Sequence, residues 1–129
     1  LIADSYNANI DSMRAAVAAL EAIGKGRRTI AVLSEMLELG EDSPATHRAV
    51  GAMLSGAGVD ALIGLGRDAH YYSEGAASVP DRVLVEDPGA ALAAVLDRLT
   101  DDCVVLVKGS YNSYSWQVAD GLLEEATTR

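Results

Sequence analysis

Apolar residues fall along this chain in two alternating rhythms. Met13, Ala16, Val17, Leu20 and Ile23 recur at helical spacing and predict one buried stripe. Short unbroken apolar runs lie between such stripes. Thr29 to Leu33, Ala61 to Gly64, Arg82 to Val85 and Cys103 to Val107 read as strands covered on both faces, the signature of a parallel sheet. A further short apolar stretch, Leu1-Ile2-Ala3, opens the chain and leads into a polar loop. The second helix is predicted with Ser43 as N-cap and Pro44 at its first position, a favoured pair. Its stripe is Ala49, Val50, Met53, Leu54 and Ala57. A third helix is expected from about Ala69 to Ala77. A fourth starts near Pro88 and buries Leu92, Val95, Leu96 and Leu99. The last runs from about Ser115 to Ala126, with Trp116, Val118, Ala119, Leu122 and Leu123 inward.

Strand and helix thus alternate along the whole chain. This predicts an α/β fold, Rossmann-like and doubly wound, with a mostly parallel sheet and helices on both faces. No linker divides residues 1–129, so one domain is expected. Half the residues are hydrophobic, yet Phe is absent and aromatics are scarce. Small aliphatic side chains suit helices packed closely on a sheet. The net charge of −9 argues against nucleic-acid binding, which needs a basic surface. It leaves room for a small anion, because helix N-termini and a few local cations can hold one. The single cysteine, Cys103, lies in a strand run and reads as packing. It permits no disulfide framework, so a reducing compartment fits. No apolar stretch approaches the ~18 residues of a membrane span, and no signal peptide is visible. A soluble, cytoplasmic protein without membrane insertion is expected. The chain opens on Leu1 inside a strand pattern, which predicts a piece cut from a longer polypeptide.

Three loops follow strand ends, where ligands bind in open α/β sheets. The first carries Asp4, Ser5, Tyr6, Asn7 and Asn9. Asp4 can accept from ribose hydroxyls or cap its own loop, and Asn9 can cap the helix. The second is Ser34-Glu35-Met36-Leu37-Glu38-Leu39-Gly40-Glu41, where acidic and apolar residues alternate. Either it folds back on the core or it meets a partner. The third is Lys108-Gly109-Ser110-Tyr111-Asn112-Ser113. Lys108 can hold an anion, Gly109 allows close approach and Ser110 can donate a hydrogen bond; a solvated lysine and a helix cap are the alternative. Elsewhere, Gly64-Leu65-Gly66 lacks the dinucleotide fingerprint, and no Walker A sequence exists. His47, one turn from Val50, reads as a packed histidine. His70, Tyr71 and Tyr72 read as helix surface or lid. No cluster has metal-ligand spacing, and no nucleophile elbow occurs.

Taken together, the three loops resemble the Mur ligase family. Asp4-Ser5-Tyr6-Asn7-Ala8-Asn9-Ile10-Asp11-Ser12-Met13 resembles the opening of that family's C-terminal domain. The likeness is to the branch that joins D-alanyl-D-alanine to a UDP-N-acetylmuramoyl-tripeptide in peptidoglycan precursor synthesis. Val32 to Gly40 is similar to its second loop, and Val107-Lys108-Gly109-Ser110 to its third. The resemblance implies an ATP-dependent ligase in which an acyl phosphate is attacked by the incoming amine. It implies that ATP lies near Asp4, Tyr6, Asn7 and Asn9. It implies that the dipeptide meets Lys108, Gly109 and Ser110, and that Met36 and Leu37 face the dipeptide or the central domain. The P-loop, the Mg2+ ligands and a carbamylated lysine belong to that central domain, a partner this sequence lacks. The piece alone is therefore expected to be a monomer without catalytic residues of its own. Ile10 departs from the usual Pro, and Tyr111-Asn112-Ser113-Tyr114 replaces small or basic residues. A free-standing nucleotide- or partner-binding module is the alternative, as is a related amide ligase with another acceptor.

Overall fold

The structure is a computed structural model. It describes residues 2–4, 9–37, 39–109 and 115–128, with backbone alone at 3, 4, 115, 116 and 124–128. Five strands are β1 (Ile2–Asp4), β2 (Arg28–Ser34), β3 (Ala61–Leu65), β4 (Asp81–Val85) and β5 (Cys103–Lys108). Five helices are α1 (Ile10–Ile23), α2 (Ser43–Gly56), α3 (His70–Gly75), α4 (Pro88–Leu96) and α5 (Ser115–Thr128). Short 3-10 turns at Gly40–Asp42 and Arg67–Ala69 lead into α2 and α3.

The strands form one sheet in the order β1-β5-β2-β3-β4, and every pairing is parallel. The doubly wound α/β expectation therefore holds. Alternation along each strand feeds two cores. Ala31, Leu33, Val104 and Leu106 pack with Met13, Val17, Leu20, Val50, Leu54 and Tyr72 beneath α1, α2 and α3. Ile30, Val32, Ile63, Val105 and Val107 pack with Ala91, Val95, Val118 and Leu122 beneath α4 and α5. Central β2, β3 and β5 are buried nearly throughout. Edge strand β4 instead alternates between half-buried and exposed residues.

Several expectations need correction. Ile23 is 53% exposed at the last residue of α1, and Leu123 is 54% exposed in α5 beside the buried Leu122, off the sheet-facing stripe. Ala49 is exposed and Met53 and Ala57 are only partly buried, so Val50 and Leu54 carry the stripe of α2. Ser43 is the first helical residue, not the N-cap, because the 3-10 turn at Gly40–Asp42 runs directly into α2 and leaves Asp42 at the cap position. In α4, Ala91 and Val95 are the fully buried residues, whereas Leu92 and Leu96, and Leu99 beyond the helix end, are partly buried. Helix α3 is shorter than expected, ending at Gly75, and Tyr72 within it is fully buried rather than at the surface. The side chain of Trp116 lies outside the described residues.

Candidate functional site at the end of β5

The connections define a crevice. Strands β1 and β2 lead to α1 and α2 on one face, whereas β5 leads to α5 on the other. The chain therefore parts in opposite directions on both sides of β5, the topological switch where open α/β sheets bind ligands. The parallel register brings the three strand ends together there. Asp4 pairs with Lys108, and Lys108 pairs with Leu33, one residue before the end of β2.

Lys108 is fully buried, which overturns the solvated-lysine alternative. It stands two residues beyond Leu106, so its side chain rises on the face carrying α1 and α2. A buried ammonium needs partners, and Lys108 has one within the fold. Gly109 beside it is buried too. The backbone of Asp4 closes β1 at this point. Tyr6, Asn7 and Ser110 lie outside the described residues, as do Ser5 and Tyr111–Tyr114. Asn9 is described, and it caps α1. Its Oδ1 accepts from the Ser12 amide at 2.9 Å, while Ser12 Oγ accepts from the Asn9 amide at 3.0 Å. This reciprocal capping box engages the Asn9 side-chain oxygen in the helix start.

The loop after β2 divides. Met36 is buried in the α1–α2 core, whereas Leu37 is 37% exposed. Met36 thus follows the fold-back alternative, and Leu37 is the member of that pair that stands at the surface. Glu38 lies outside the described residues. Three consecutive loop residues are tied down. The Tyr72 hydroxyl donates to the Ser34 carbonyl at 2.9 Å. The Glu35 amide donates to the Leu65 carbonyl at 3.2 Å, and its carboxylate accepts from the Asp68 amide at 3.1 Å. The Met36 amide donates to His47 Nε2 at 2.9 Å. Burial, and next the nearby Glu35 charge, push the Tyr72 phenol well above its ordinary value, so it remains a donor.

His47 is buried, as expected, but it bonds at both ring nitrogens. That polar role and the burial of Tyr72 escaped the sequence reading. Only the Ser43–His47 spacing, which puts both on one helical face, hinted at it. Among the described residues, no group of three or more His, Cys, Asp or Glu is placed to hold a metal ion. No helix among them is long and apolar enough to cross a membrane. An open depression of about 490 Å³ lies away from β5, at the ends of β3 and β4, lined by Gly66, Arg67, His70, Leu84, Val85 and Glu86.

A wholly parallel sheet with helices on both faces and a switch in connection at β5 defines a Rossmann-like α/β protein. The chain belongs to the Mur ligase family, for residues 1–111 match the domain described as "Mur ligase, glutamate ligase domain". Among its relatives are proteins named UDP-N-acetylmuramoyl-tripeptide–D-alanyl-D-alanine ligase. The Mycobacterium leprae protein of that name is 36% identical over 147 residues, covering 100% of this chain and 28% of the relative. The Escherichia coli one is 34% identical over 127 residues, covering 98% and 27%. The chain therefore spans little more than a quarter of the length of these relatives. Among solved structures, MurF from Acinetobacter baumannii aligns with a TM-score of 0.82 and 26% identity, over 94% of this chain and 27% of that one. The Thermotoga maritima MurF ligase, solved in complex with ADP, shares the fold with a TM-score of 0.77 at 24% identity, over 98% and 28%.

Proposed function

We propose that this chain is the C-terminal domain of a ligase that adds D-alanyl-D-alanine to a UDP-N-acetylmuramoyl-tripeptide at the expense of ATP. The observation that carries this reading is the meeting of Asp4, Lys108 and the Ser34–Leu37 loop at three adjacent strand ends. In the proposed reaction, the tripeptide carboxylate attacks the γ-phosphorus of ATP and ADP leaves. The dipeptide amine then attacks the acyl phosphate, a proton is lost and phosphate departs. Lys108 supplies positive charge for the dipeptide carboxylate, in a buried setting where such charge acts strongly. Gly109 and Ser110 supply close backbone approach and a hydroxyl donor. Asp4, Tyr6 and Asn7 face the nucleotide, with Asn9 fixing the helix that starts behind them. Closure of this domain over the central domain keeps water from the acyl phosphate. Magnesium would neutralise the phosphates, with its ligands supplied by the central domain.

The test uses the full ligase that carries this chain. Lys108→Met is expected to raise the KM for D-alanyl-D-alanine at least about 10-fold, the equivalent of one charged hydrogen bond. Asp4→Asn is expected to raise the KM for ATP instead. Thermal melts run in parallel separate binding from folding, since Lys108 is buried. Unchanged KM values and turnover in both variants would sink the assignment. The chain by itself is proposed to turn over no substrate and to bind ATP weakly, and tight ATP binding by calorimetry would contradict this.

A further inference from the structure

The polar ties on the loop after β2 form a circuit. His47 Nε2 accepts the Met36 N–H, so Nδ1 carries the ring proton and donates to the Ser43 carbonyl at 2.6 Å. Together the two bonds fix a single ring tautomer. The Ser43 hydroxyl donates to the Asp68 carboxylate at 2.8 Å, and the Asp68 amide donates to Glu35. The His47 ring also stands edge-on to Tyr72, 4.7 Å between centroids, and Tyr72 holds the Ser34 carbonyl. A packing residue would need none of these bonds; a leucine fills a core equally well.

The direction of the circuit matters. Its anchors are Leu65 at the end of β3, Asp68 in the turn after it, and α2 and α3. They draw the loop toward β3, on the side of β2 away from β5. We propose that His47 is a positioning residue for the ligase reaction: it holds the loop after β2 back from the end of β5 and keeps the crevice at Lys108 open to the incoming dipeptide. His47 acts through Met36 and touches no substrate. The inference rests on the proposed dipeptide site at Lys108.

Two amides separate the roles of the two ring nitrogens in the full ligase. Asn at 47 can reach only the Ser43 carbonyl, whereas the longer Gln can reach the Met36 amide. His47→Asn is expected to raise the KM for D-alanyl-D-alanine about 5- to 10-fold with kcat nearly unchanged, the scale of one lost buried hydrogen bond. Amide hydrogen exchange should quicken in the peptide spanning 34–39 and stay slow in 103–108. His47→Gln should restore most of both. Tyr72→Phe, which cuts the neighbouring tie with little change in shape, should move KM in the same direction and serves if His47→Asn does not fold. An unchanged KM despite faster exchange, or equal loss of kcat and melting temperature without local exchange, overturns the proposal. If Lys108→Met still raises the dipeptide KM in that case, the site survives and only the positioning role fails.

Discussion

The two helical layers do different things with the same sheet. Beneath α4 and α5 the buried cluster is aliphatic throughout, built from Ile, Val, Leu and Ala. Beneath α1, α2 and α3 the core also encloses His47, the Tyr72 hydroxyl, Ser43 and Lys108. Apolar burial is strong but has no direction, so the α4–α5 layer covers the sheet without specifying where any loop runs. Hydrogen bonds are weaker in net terms, yet they fix atoms to within tenths of an ångström and degrees of angle. The α1–α3 layer gives up some apolar contact and gains control of the loop beside the crevice. Such a layer is also more brittle, because each buried polar group is costly once its partner is gone.

The sharpest test truncates the apolar layer. Ile63 is fully buried against it, and Ile63→Ala should cost about 2–5 kcal/mol of stability. Urea denaturation measures that loss. The KM values of the folded fraction of the full ligase should stay put. A dipeptide KM that rises as much as for a change at His47 would erase the distinction between the layers.

Gly51 tests the other layer by adding volume. A Cβ there would run into the Tyr72 carbonyl oxygen and stand 2.9 Å from the Ala76 amide nitrogen, while a Cβ on Gly75 would strike the Arg48 carbonyl. These two glycines let α2 and α3 touch backbone to backbone. Gly51→Ala should cost about 1–3 kcal/mol by overpacking. Since it pushes α2, which carries His47, from α3, which carries Tyr72, it should raise the dipeptide KM as well. A loss of stability with unchanged KM would mean that loop position does not depend on this helix pair.

The same contrast explains what the sequence revealed. The unalternating runs around β2, β3 and β5 were legible because strands buried on both faces leave no polar positions. Strand order was not legible, since nothing local in Cys103–Lys108 says that it inserts between β1 and β2. The adjacency of Asp4, Lys108 and Leu33 therefore had to come from the structure. Ile23 and Leu123 have the right spacing for burial, but helical period does not say where the sheet beneath a helix ends. Tyr72 next to His70 and Tyr71 looked like surface because its partner, the Ser34 carbonyl, lies 38 residues away. Ser43 misled as a cap because Gly40–Asp42 already coils into α2. The loops bearing Asp4, Met36 and Lys108 stood out as candidates because chemistry-bearing residues sat directly after strand runs; the ties that hold one of them in place were beyond local pattern.

Tyr72→Phe sharpens the comparison at the level of one bond. It removes a buried donor without a cavity, so it should cost about 0.5–1.5 kcal/mol in urea denaturation. The raised phenol adds a spectroscopic check. Of the five tyrosines, Tyr72 should resist alkaline ionisation until the fold is lost. Its ionisation at the pH of a free phenol would place its hydroxyl in water and remove the tie to Ser34.

The smallest effect belongs to a polar tie on the α4 side, at the opposite end of the sheet from the crevice. Arg98, just past α4, grips Asp81 at the start of β4 with Nε to Oδ2 at 2.7 Å and Nη2 to Oδ1 at 3.2 Å. That hydrogen bonding is the main reason the Asp81 carboxyl sits below its ordinary value. A carboxylate lowered in the folded state adds stability that is complete above its unfolded value, about 3.9, and is lost as pH falls through the folded one. The Asp81 side chain is 36% exposed, so solvent screening holds the gain below about 1 kcal/mol. Asp81→Asn should therefore be less stable than the parent at pH 7 by that margin, with the gap closing below about pH 4 as the parent carboxyl is protonated. Kinetic constants of the full ligase should be unchanged, because β4 starts at the amino edge and the crevice opens at the carboxyl edge. A gap that persists at pH 2 would assign the effect to packing of the Arg98 stem against α4 instead of to charge. A shifted dipeptide KM would mean that the α4 layer also steers the site, and the division between the two faces would fall.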